Sequence, residues 1–220
     1  MEIEPQSVTN SIVEHLRSKI VIGELAPGLK LNENQLSTQL GVSRPPIREA
    51  FRILEHEHII TSIPRKGVFV SDIRMEECED VYRFREMFES YAIDLLRTKG
   101  ISDLPKVSLA LEMASKLSLP QEGDRDQRIK YLKIFSDFHT QMVEAVGNRR
   151  LTYFYKSIQA TLLRFQLMYL SIPGAGPSSI EEHRHILDAI QSSAYDEAKG
   201  LLIKHIRRTL ALSKDRIQEK

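Results

Sequence analysis

Residues 40 to 54, LGVSRPPIREAFRIL, constrain the fold more than any other segment of this chain. A glycine turn is followed by a serine and by two prolines that stand directly before a helical pattern. Arginines recur at Arg44, Arg48 and Arg52, so three guanidinium groups lie along one stripe of that helix. The short segment from Asn32 to Leu40 leads into the turn. These features predict a helix-turn-helix whose second helix faces DNA.

The flanking sequence predicts two more helices that pack with this one. Apolar residues at helical spacing indicate a first helix over residues 6 to 22. A second helix starts at residue 32 or 33 and directs Leu36 and Leu40 inward. The third helix runs from about Pro45 to His58. Its apolar face is expected in the core and consists of Ile47, Ala50, Phe51 and Leu54.

Two short runs of β-branched and aromatic residues follow the third helix. They span Ile59 to Ile63 and Val68 to Val70, and the turn-forming sequence PRKG separates them. Such a pattern predicts a β-hairpin, and a hairpin at this place is a wing beside the helices.

From Met75 onward the patterns are helical, with no further strand signal. Six helices are predicted, near residues 75–98, 103–117, 125–146, 149–171, 179–192 and 194–216. The expected fold is therefore mainly α. A winged helix-turn-helix domain occupies residues 1–73 and an all-helical bundle occupies residues 74–220.

Composition removes several classes of protein. The single cysteine, Cys78, excludes an internal disulfide framework and a cysteine-rich zinc module, and we expect it at a helix surface or partly buried. No apolar run approaches the roughly 20 residues that span a bilayer, and the N-terminus lacks a secretory pattern, so a cytoplasmic protein is expected. The formal net charge is only +1, so any DNA affinity must come from locally placed arginines.

The start of the third helix suits contact with DNA. Prolines at positions 45 and 46 fix a helix start, where missing amide hydrogens cost little. Ser43 cannot cap against a proline nitrogen, which frees its hydroxyl for a phosphate. Arg44 is expected to point outward, and Arg48 is placed for a guanine or a phosphate. The alternative is a solvated basic face paired with Glu49 and Glu55, but the preceding turn and the wing favour DNA.

The segments SRPPIREAFRILEHEHII and PRKGVFV, with GELAPGLKLNENQLSTQLGV before them, resemble the winged helix-turn-helix of GntR-type bacterial transcription regulators. This resemblance implies that the N-terminal domain binds a double-stranded DNA operator. The implied DNA-binding residues are Ser43, Arg44, Pro46, Arg48, Lys66 and Gly67. The last two lie at the wing tip, in the adjacent minor groove. Asn34 stands where some members have a DNA-contacting arginine, so Asn34 and Arg52 are secondary candidates.

Three histidines fall on three different predicted helices. They are His139 in FSDFHTQM, His183 in EEHRHILDAI and His205 in AKGLLIKHI. Spacing alone does not decide between structural histidines and a metal site. However, these segments resemble the ligand-binding FCD domain of the FadR-like branch of the family. The resemblance implies that the three histidines converge on a divalent metal, and a three-histidine site is chemically reasonable for zinc or nickel.

One position departs from that pattern. The family's fourth ligand is commonly an aspartate one turn before the first histidine, where this chain has Phe135. Asp137 cannot replace it, because two residues turn about 200° around a helix. A three-histidine site with positions left to water or to an effector carboxylate is one outcome. The other is a metal-free pocket whose histidines hydrogen-bond an acidic ligand directly.

Two further residues are effector-binding candidates through the same resemblance. Arg85 matches an arginine on the first helix of the domain and could anchor a carboxylate. Its alternative role is an ion pair with Glu89, four residues on. Asn148 matches a family position at a helix start, where a capping role is the simpler explanation.

The sequence thus predicts a repressor that binds a palindromic operator as a homodimer and is controlled by a small carboxylate effector, without a membrane partner. A small metal-dependent hydrolase that uses the three histidines is the alternative from another class. It lacks an identifiable carboxylate base near them, and it leaves the N-terminal module unexplained. A scaffold that uses its winged domain for protein contacts is the third possibility.

Overall fold

The computed structural model describes residues 8–118, 120 and 124–218, apart from the side chain of residue 125. Residues 6 and 7, where we predicted the first helix to begin, lie outside this part of the chain, as do most of the residues predicted to link the fifth and sixth helices. The chain divides into two compact units between Ile73 and Arg74, and each unit is described by itself.

The N-terminal unit is a three-helix cluster with a small antiparallel sheet. Its helices and strands are α1 (Val8–Val21), β1 (Lys30–Leu31), α2 (Glu33–Leu40), α3 (Arg44–His56), β2 (Ile60–Ile63) and β3 (Gly67–Val70). Helix α1 packs against α3, and the predicted core face of α3 is confirmed, since its four apolar residues are at most 4% exposed. Ile12, Leu16 and Ile20 of α1 are equally buried.

The turn between α2 and α3 forms as its residues require. Asn32 caps α2, because its Oδ1 accepts hydrogen bonds from the backbone nitrogens of Asn34 and Gln35. Gly41 ends α2 in the left-handed region, at φ 65°. Leu36 and Leu40 are half-buried, so the inward placement predicted for them is reached in part, and this two-turn helix packs against α3.

The sheet has the strand order β1-β3-β2, and both pairings are antiparallel. The hairpin of β2 and β3 is the predicted wing. The strand β1 was not predicted, since two residues are too few to show alternation. Helix α3 ends two residues earlier than predicted, where His58 turns the chain in the left-handed region at φ 60°.

The C-terminal unit contains six helices in the described part of the chain. They are α4 (Met75–Lys99), α5 (Pro105–Ser115), α6 (Arg125–Ala145), α7 (Arg149–Leu170), α8 (Ala175–Gln191) and α9 (Tyr195–Gln218). Helix α4 packs against α9 and α7, α6 packs against α5 and α7, and α8 packs against α9. The all-helical prediction is therefore confirmed, and the polar residues of several helices face one interior.

Helix α8 begins four residues earlier than predicted. The sequence SIPGAGPSS favours a loop, yet the helix starts at Ala175 after the left-handed Gly174. Pro177 is compatible with this start, because the first turn of a helix does not use its amide hydrogens.

Cys78 is fully buried on α4, which corrects its expected place at a helix surface or in a partly buried position. Burial raises the pKa of its thiol to about 12, so the group is an inert core residue. Across the described residues, no helix is both long and apolar enough to pass through a membrane.

Candidate functional site

The arginine stripe of α3 lies on the exposed face of the N-terminal unit. Arg44, Arg48 and Arg52 are all exposed, and the opposite face of the same helix is buried. Ser43 is the N-cap residue, and its side chain makes no capping hydrogen bond. This matches the expectation, because Pro45 and Pro46 offer no amide hydrogen to it. The hydroxyl and the first guanidinium groups thus meet at the exposed start of the helix.

Each arginine of the stripe has a polar partner. Arg44 Nη1 donates to Asn34 Oδ1 at 3.1 Å, and Arg48 Nε donates to Glu33 Oε2 at 2.8 Å. Arg52 Nη1 pairs with Glu49 Oε2 at 3.2 Å. These partners orient the guanidinium groups without burying them, since 58% of the Arg48 side chain remains exposed. Such exposed pairs are worth little, so they can exchange for phosphate or base contacts.

The partners that the sequence offered for these arginines, Glu49 and Glu55, differ in part from those in the structure. Of the expected partners, Glu49 pairs with Arg52, and Glu55 accepts a hydrogen bond from the backbone nitrogen of Ser62 at 2.8 Å. Glu33 was missed as the partner of Arg48, although its place in the first turn of α2 was the available signal. Glu55 therefore ties α3 to the wing.

The wing tip carries the predicted residues Lys66 and Gly67, both exposed. Gly67 has φ 117°, and a Cβ built there would lie 2.9 Å from Lys30 Cε. Lys30 belongs to β1, is exposed and was missed by the sequence analysis. Its pairing with Phe69 across the sheet places a second lysine beside the wing, which a linear motif does not reveal.

In the C-terminal unit, the three candidate histidines converge. His139 on α6, His183 on α8 and His205 on α9 are at most 2% exposed, and one ligand atom of each lies within 4.8 Å of the others. The Nε2 atoms of His183 and His205 are 3.2 Å apart. The ring of Phe138 stacks on that of His183 with centroids 4.1 Å apart, which fixes the imidazole in place.

Two carboxylates orient two of these rings. His139 Nδ1 donates to Glu89 Oε2 at 2.8 Å, and His205 Nδ1 donates to Glu182 Oε2 at 2.7 Å. With the proton on Nδ1, each ring presents its Nε2 lone pair to the interior of the cluster. Carboxylates that hold histidines in this way are the usual outer shell of a metal site. Neither glutamate was predicted in this role.

Arg85 forms the ion pair with Glu89 that the sequence offered as its alternative role, and it also lines the histidine cavity. It is 1% exposed, its Nε pairs with Glu89 Oε1 at 2.8 Å, and its Nη2 donates to His139 Nε2 at 2.6 Å. Tyr155 completes the network, since its hydroxyl donates to Glu89 Oε1 at 2.8 Å. Glu89 thus has three partners and is itself fully buried. The guanidinium group lies in the cavity and against a candidate ligand nitrogen.

The histidines of the cluster are held neutral. Burial lowers the pKa values of His139 and His183 well below the usual range, and neighbouring Arg85 and the other histidines lower them further. Burial also lowers the pKa of His205, although Glu182 opposes the shift. Neutral imidazole is the form that binds metal ions.

Two buried polar atoms at this cluster lack a hydrogen-bond partner in the described part of the chain. They are His183 Nδ1 and Gln166 Oε1, and both residues line the small cavity between the histidines. Unsatisfied buried groups of this kind indicate a site for a ligand or an ordered water. Three neutral nitrogen donors with two supporting carboxylates also suit a divalent metal by their chemistry.

The remaining predicted residues lie as follows. Phe135 lines the same cavity, and Asp137 is exposed on the other side of α6, as its helical offset requires. Asn148 does not line the cavity. Its Oδ1 caps α7 by accepting from the backbone nitrogens of Arg150 and Leu151, each at 3.1 Å, so its assignment as an effector contact is corrected.

Family models match both units. The model described as bacterial regulatory proteins, gntR family, matches residues 8–70, and the FCD domain model matches residues 80–208. The second match covers more than half of the chain. Together they place the arginine stripe and the wing in one recognised module and the histidine cluster in another.

Relatives and solved structures agree with these matches. An uncharacterized HTH-type transcriptional regulator, YdhC of Bacillus subtilis, is 25% identical over 86% of this chain and 84% of its own length. The gluconate operon transcriptional repressor of Bacillus licheniformis is 29% identical over 79% and 68%. The crystal structure of a putative transcriptional regulator GntR from Rhodococcus sp. RHA1 has a TM-score of 0.74 at 23% identity, over 94% of this chain and 97% of that one, which supports the fold. The family and these relatives are transcriptional regulators, not hydrolases.

Proposed function

The chain belongs to the GntR family of bacterial transcriptional regulators and carries an FCD domain, and from this premise we propose that it is a ligand-responsive repressor in the cytoplasm. As a homodimer it binds a palindromic operator, and a small carboxylate held in the histidine-lined cavity controls the binding. The observation that carries the proposal is the exposed arginine stripe of α3. The same chain also buries three histidines and Arg85 in its C-terminal unit, which supports control by an acidic ligand.

In this proposal, the N-terminal unit binds DNA through the start of α3. Ser43, Arg44, Pro46 and Arg48 lie at the major groove, and Lys66 and Gly67 at the wing tip reach the adjacent minor groove. Asn34 acts by holding Arg44, to which its side-chain oxygen is hydrogen-bonded. Arg52 contributes least, since it is farthest along the helix and is paired with Glu49.

An exposed aromatic face of the C-terminal unit supports the homodimer. Phe84, Met87 and Tyr91 lie one turn apart along α4 and are each about half exposed, at 50%, 52% and 49%. Phe84 stacks on Phe88, whose ring meets Tyr155 of α7. Large exposed apolar patches mark interaction surfaces, and a two-fold operator requires two DNA-binding units. We assign this face to the contact between the two copies.

For the cavity, the proposed metal ligands are the Nε2 atoms of His139 and His205 together with a ring nitrogen of His183. The metal is zinc or nickel, both of which accept imidazole ligands. A bound metal would supply Lewis-acid binding of a carboxylate oxygen. Arg85 adds a fixed positive charge beside His139, which favours an acidic effector over a neutral one.

A metal-free version of the cavity is the second candidate. The contact of Arg85 Nη2 with His139 Nε2 favours it, because that nitrogen is the one a metal would need. In this version the guanidinium group and the three histidines bind the effector acid directly. The two versions differ in their dependence on metal and not in the class of effector.

DNA binding is tested by selecting bound fragments from genomic DNA with the purified full-length protein. We expect enrichment of a motif with two-fold symmetry, and an affinity that falls steeply with salt because arginines supply it. Retention of all fragments alike, or of none at low salt, would support the scaffold interpretation and contradict the proposed function.

Metal content decides between the two versions of the cavity. The purified protein is analysed for bound zinc and nickel beside two variants, His183→Ala and His185→Ala. His185 is exposed and two residues from His183, so it is a matched control. The metal version predicts about one metal per chain in the wild type and in His185→Ala, and loss in His183→Ala. Carboxylate binding that survives chelation supports the metal-free version.

A further inference from the structure

The histidine cavity is nearly filled by its own side chains. Its free volume is about 10 Å³, roughly the minimum that accommodates a single water molecule. Phe135, Leu170 and Tyr169 are among the buried side chains that fill it. A ligand larger than a few atoms therefore needs space outside the ring of histidines.

Such space lies on the other side of Phe135. A second cavity of about 440 Å³, here called the lateral cavity, opens between α6, the start of α8 and the residues that follow α5. Its apolar walls are Leu117, Tyr131, Phe135, Ile172, Pro177 and Ile180. This volume and this lining are typical of sites for small organic ligands. Phe135 faces both cavities and is the wall between them.

The lateral cavity is lined by a tyrosine, Tyr131, whose ring carries a hydroxyl group. Tyr131 is only 5% exposed, and burial raises its pKa to about 12, so its hydroxyl is a donor at neutral pH. A Cβ at position 176 would collide with this hydroxyl, which is why glycine is needed where α8 approaches it. A tyrosine hydroxyl on a cavity wall is a hydrogen-bond donor for a polar atom of a ligand.

The rim of the cavity carries one cation. Arg184 lines the opening one turn beyond Ile180, is exposed, and has no ion-pair partner among the residues whose positions are described. A guanidinium group at the edge of an apolar cavity favours a molecule with an apolar body and an acidic end. No carboxylate side chain lines the cavity in the described part of the chain.

We infer that the lateral cavity binds an amphiphilic organic anion, whose apolar body lies against Phe135 and Ile180 and whose acid group pairs with Arg184. Tyr131 donates to a polar atom of the same ligand. This inference rests on the proposed function in one respect, since it takes the C-terminal unit to be the effector-binding unit. The ligand of the lateral cavity is a second molecule, separate from the small carboxylate proposed for the histidine cavity, and Phe135 lines both sites.

The test uses straight-chain carboxylates, from butanoate to decanoate, titrated into the full-length protein by calorimetry. Burial of each added CH₂ predicts an affinity gain of about three- to fourfold until the cavity is filled. Ile180→Trp and, independently, Ile172→Phe reduce the cavity volume, and each should abolish this length dependence. Circular dichroism and the melting temperature establish which of the two variants fold. One folded variant is enough to test the length dependence.

Arg184→Gln tests the acidic end, with Arg150→Gln as a matched control on an exposed arginine of α7. We expect octanoate to bind Arg184→Gln about two- to fivefold more weakly than the wild type, as for the loss of a partly exposed charge pair. Its affinity for the control variant should be unchanged. Affinities that do not depend on chain length, or that survive both cavity-filling variants, overturn the inference.

Specific DNA binding is measured on the same preparations without carboxylate. Intact DNA binding combined with no length-dependent carboxylate binding refutes the lateral site alone. Absence of specific DNA binding refutes the proposed function, whatever the carboxylates do.

Discussion

The two units of this protein place arginine and glutamate in opposite environments. Arg48 and Glu33 pair at the surface of the N-terminal unit, with 58% and 31% of their side chains exposed. Arg85 and Glu89 pair in the C-terminal unit at the same 2.8 Å distance, but with 1% and 0% exposed. The two contacts are geometrically alike, so the difference between them is solvation.

The difference in solvation decides which charged groups can bind another molecule and which ones stabilise the fold. An exposed pair gains little Coulomb energy, and water can replace either partner, so its arginine is available to DNA. A buried pair has lost its hydration, and neither partner can leave without stranding the other charge. Pairing of arginine with glutamate therefore predicts a role only when burial is known.

The largest expected effect comes from removing one partner of the buried pair. Glu89→Gln leaves the Arg85 guanidinium without a counter-charge and removes one of the two acceptor oxygens that serve Arg85, His139 and Tyr155. We expect a loss of about 3–5 kcal/mol in the free energy of unfolding, from denaturant melts followed by circular dichroism.

Glu86→Gln is the matched control for this loss. Glu86 lies on the same helix and pairs with Arg207, which is 67% exposed. This variant should change the stability by less than about 1 kcal/mol. Equal losses in the two variants would contradict the proposed importance of burial.

The buried histidines should also make the stability of the metal-depleted protein depend on pH. The pKa values of His139 and His183 are lowered well below the usual range, whereas an unfolded histidine titrates near pH 6.5. Below pH 6.5 the unfolded chain therefore binds more protons than the folded one. Stability is full above that pH and falls below it, by up to about 1.4 kcal/mol per pH unit for each histidine.

Melts between pH 5.5 and 7.5 in the presence of a chelator measure this slope. The window lies above the range in which glutamates titrate, so histidines dominate it. His183→Gln should reduce the slope by the contribution of one group. A melting temperature that stays constant across the window would indicate that the histidines are solvated, as exposed ones are.

The same contrast explains what the sequence could and could not predict. The turn, the prolines and the arginine period of α3 are local patterns, so the helix and its exposed stripe were predicted correctly. The three histidines were placed together only through the family resemblance, since 66 residues separate His139 from His205 and spacing carries no information on convergence.

Partners across helices were mostly missed for the same reason. Glu182 and Tyr155 have no local motif that links them to a histidine or to Glu89, because those contacts depend on how the helices pack. For Glu89, the sequence indicated only the ion pair with Arg85, four residues before it. Both residues lie on α4, so this contact follows from helix geometry alone. Burial, which decides the role of each charge, is set by packing and not by local sequence.

At the surface, Arg48→Ala tests whether the exposed arginine is used for binding and not for stability. We expect specific operator affinity to fall about ten- to a hundredfold, as for one bidentate base contact, with the melting temperature unchanged within about one degree. Fluorescence anisotropy with the selected operator measures the first quantity. Arg52→Ala, the next arginine of the stripe, should lower affinity much less, and the reverse ranking would exclude our placement of the helix on DNA.

The smallest effect should come from releasing Arg48 without removing it. Glu33→Gln deletes the carboxylate that accepts from Arg48 Nε and that also repels phosphate. Since an exposed pair is worth about 0.2–1 kcal/mol, the operator affinity should rise by up to about fivefold while the free energy of unfolding hardly changes.

Glu49→Gln is the control for this gain, because it removes the same charge from the partner of Arg52. A general loss of repulsion would raise affinity equally in both variants, whereas release of Arg48 raises it more in Glu33→Gln. A fall in affinity in Glu33→Gln would mean that the carboxylate orients Arg48 for the operator. In that case the exposed pair of Arg48 and Glu33 would position its arginine, as the buried pair of Arg85 and Glu89 does. Burial would then no longer distinguish the two pairs.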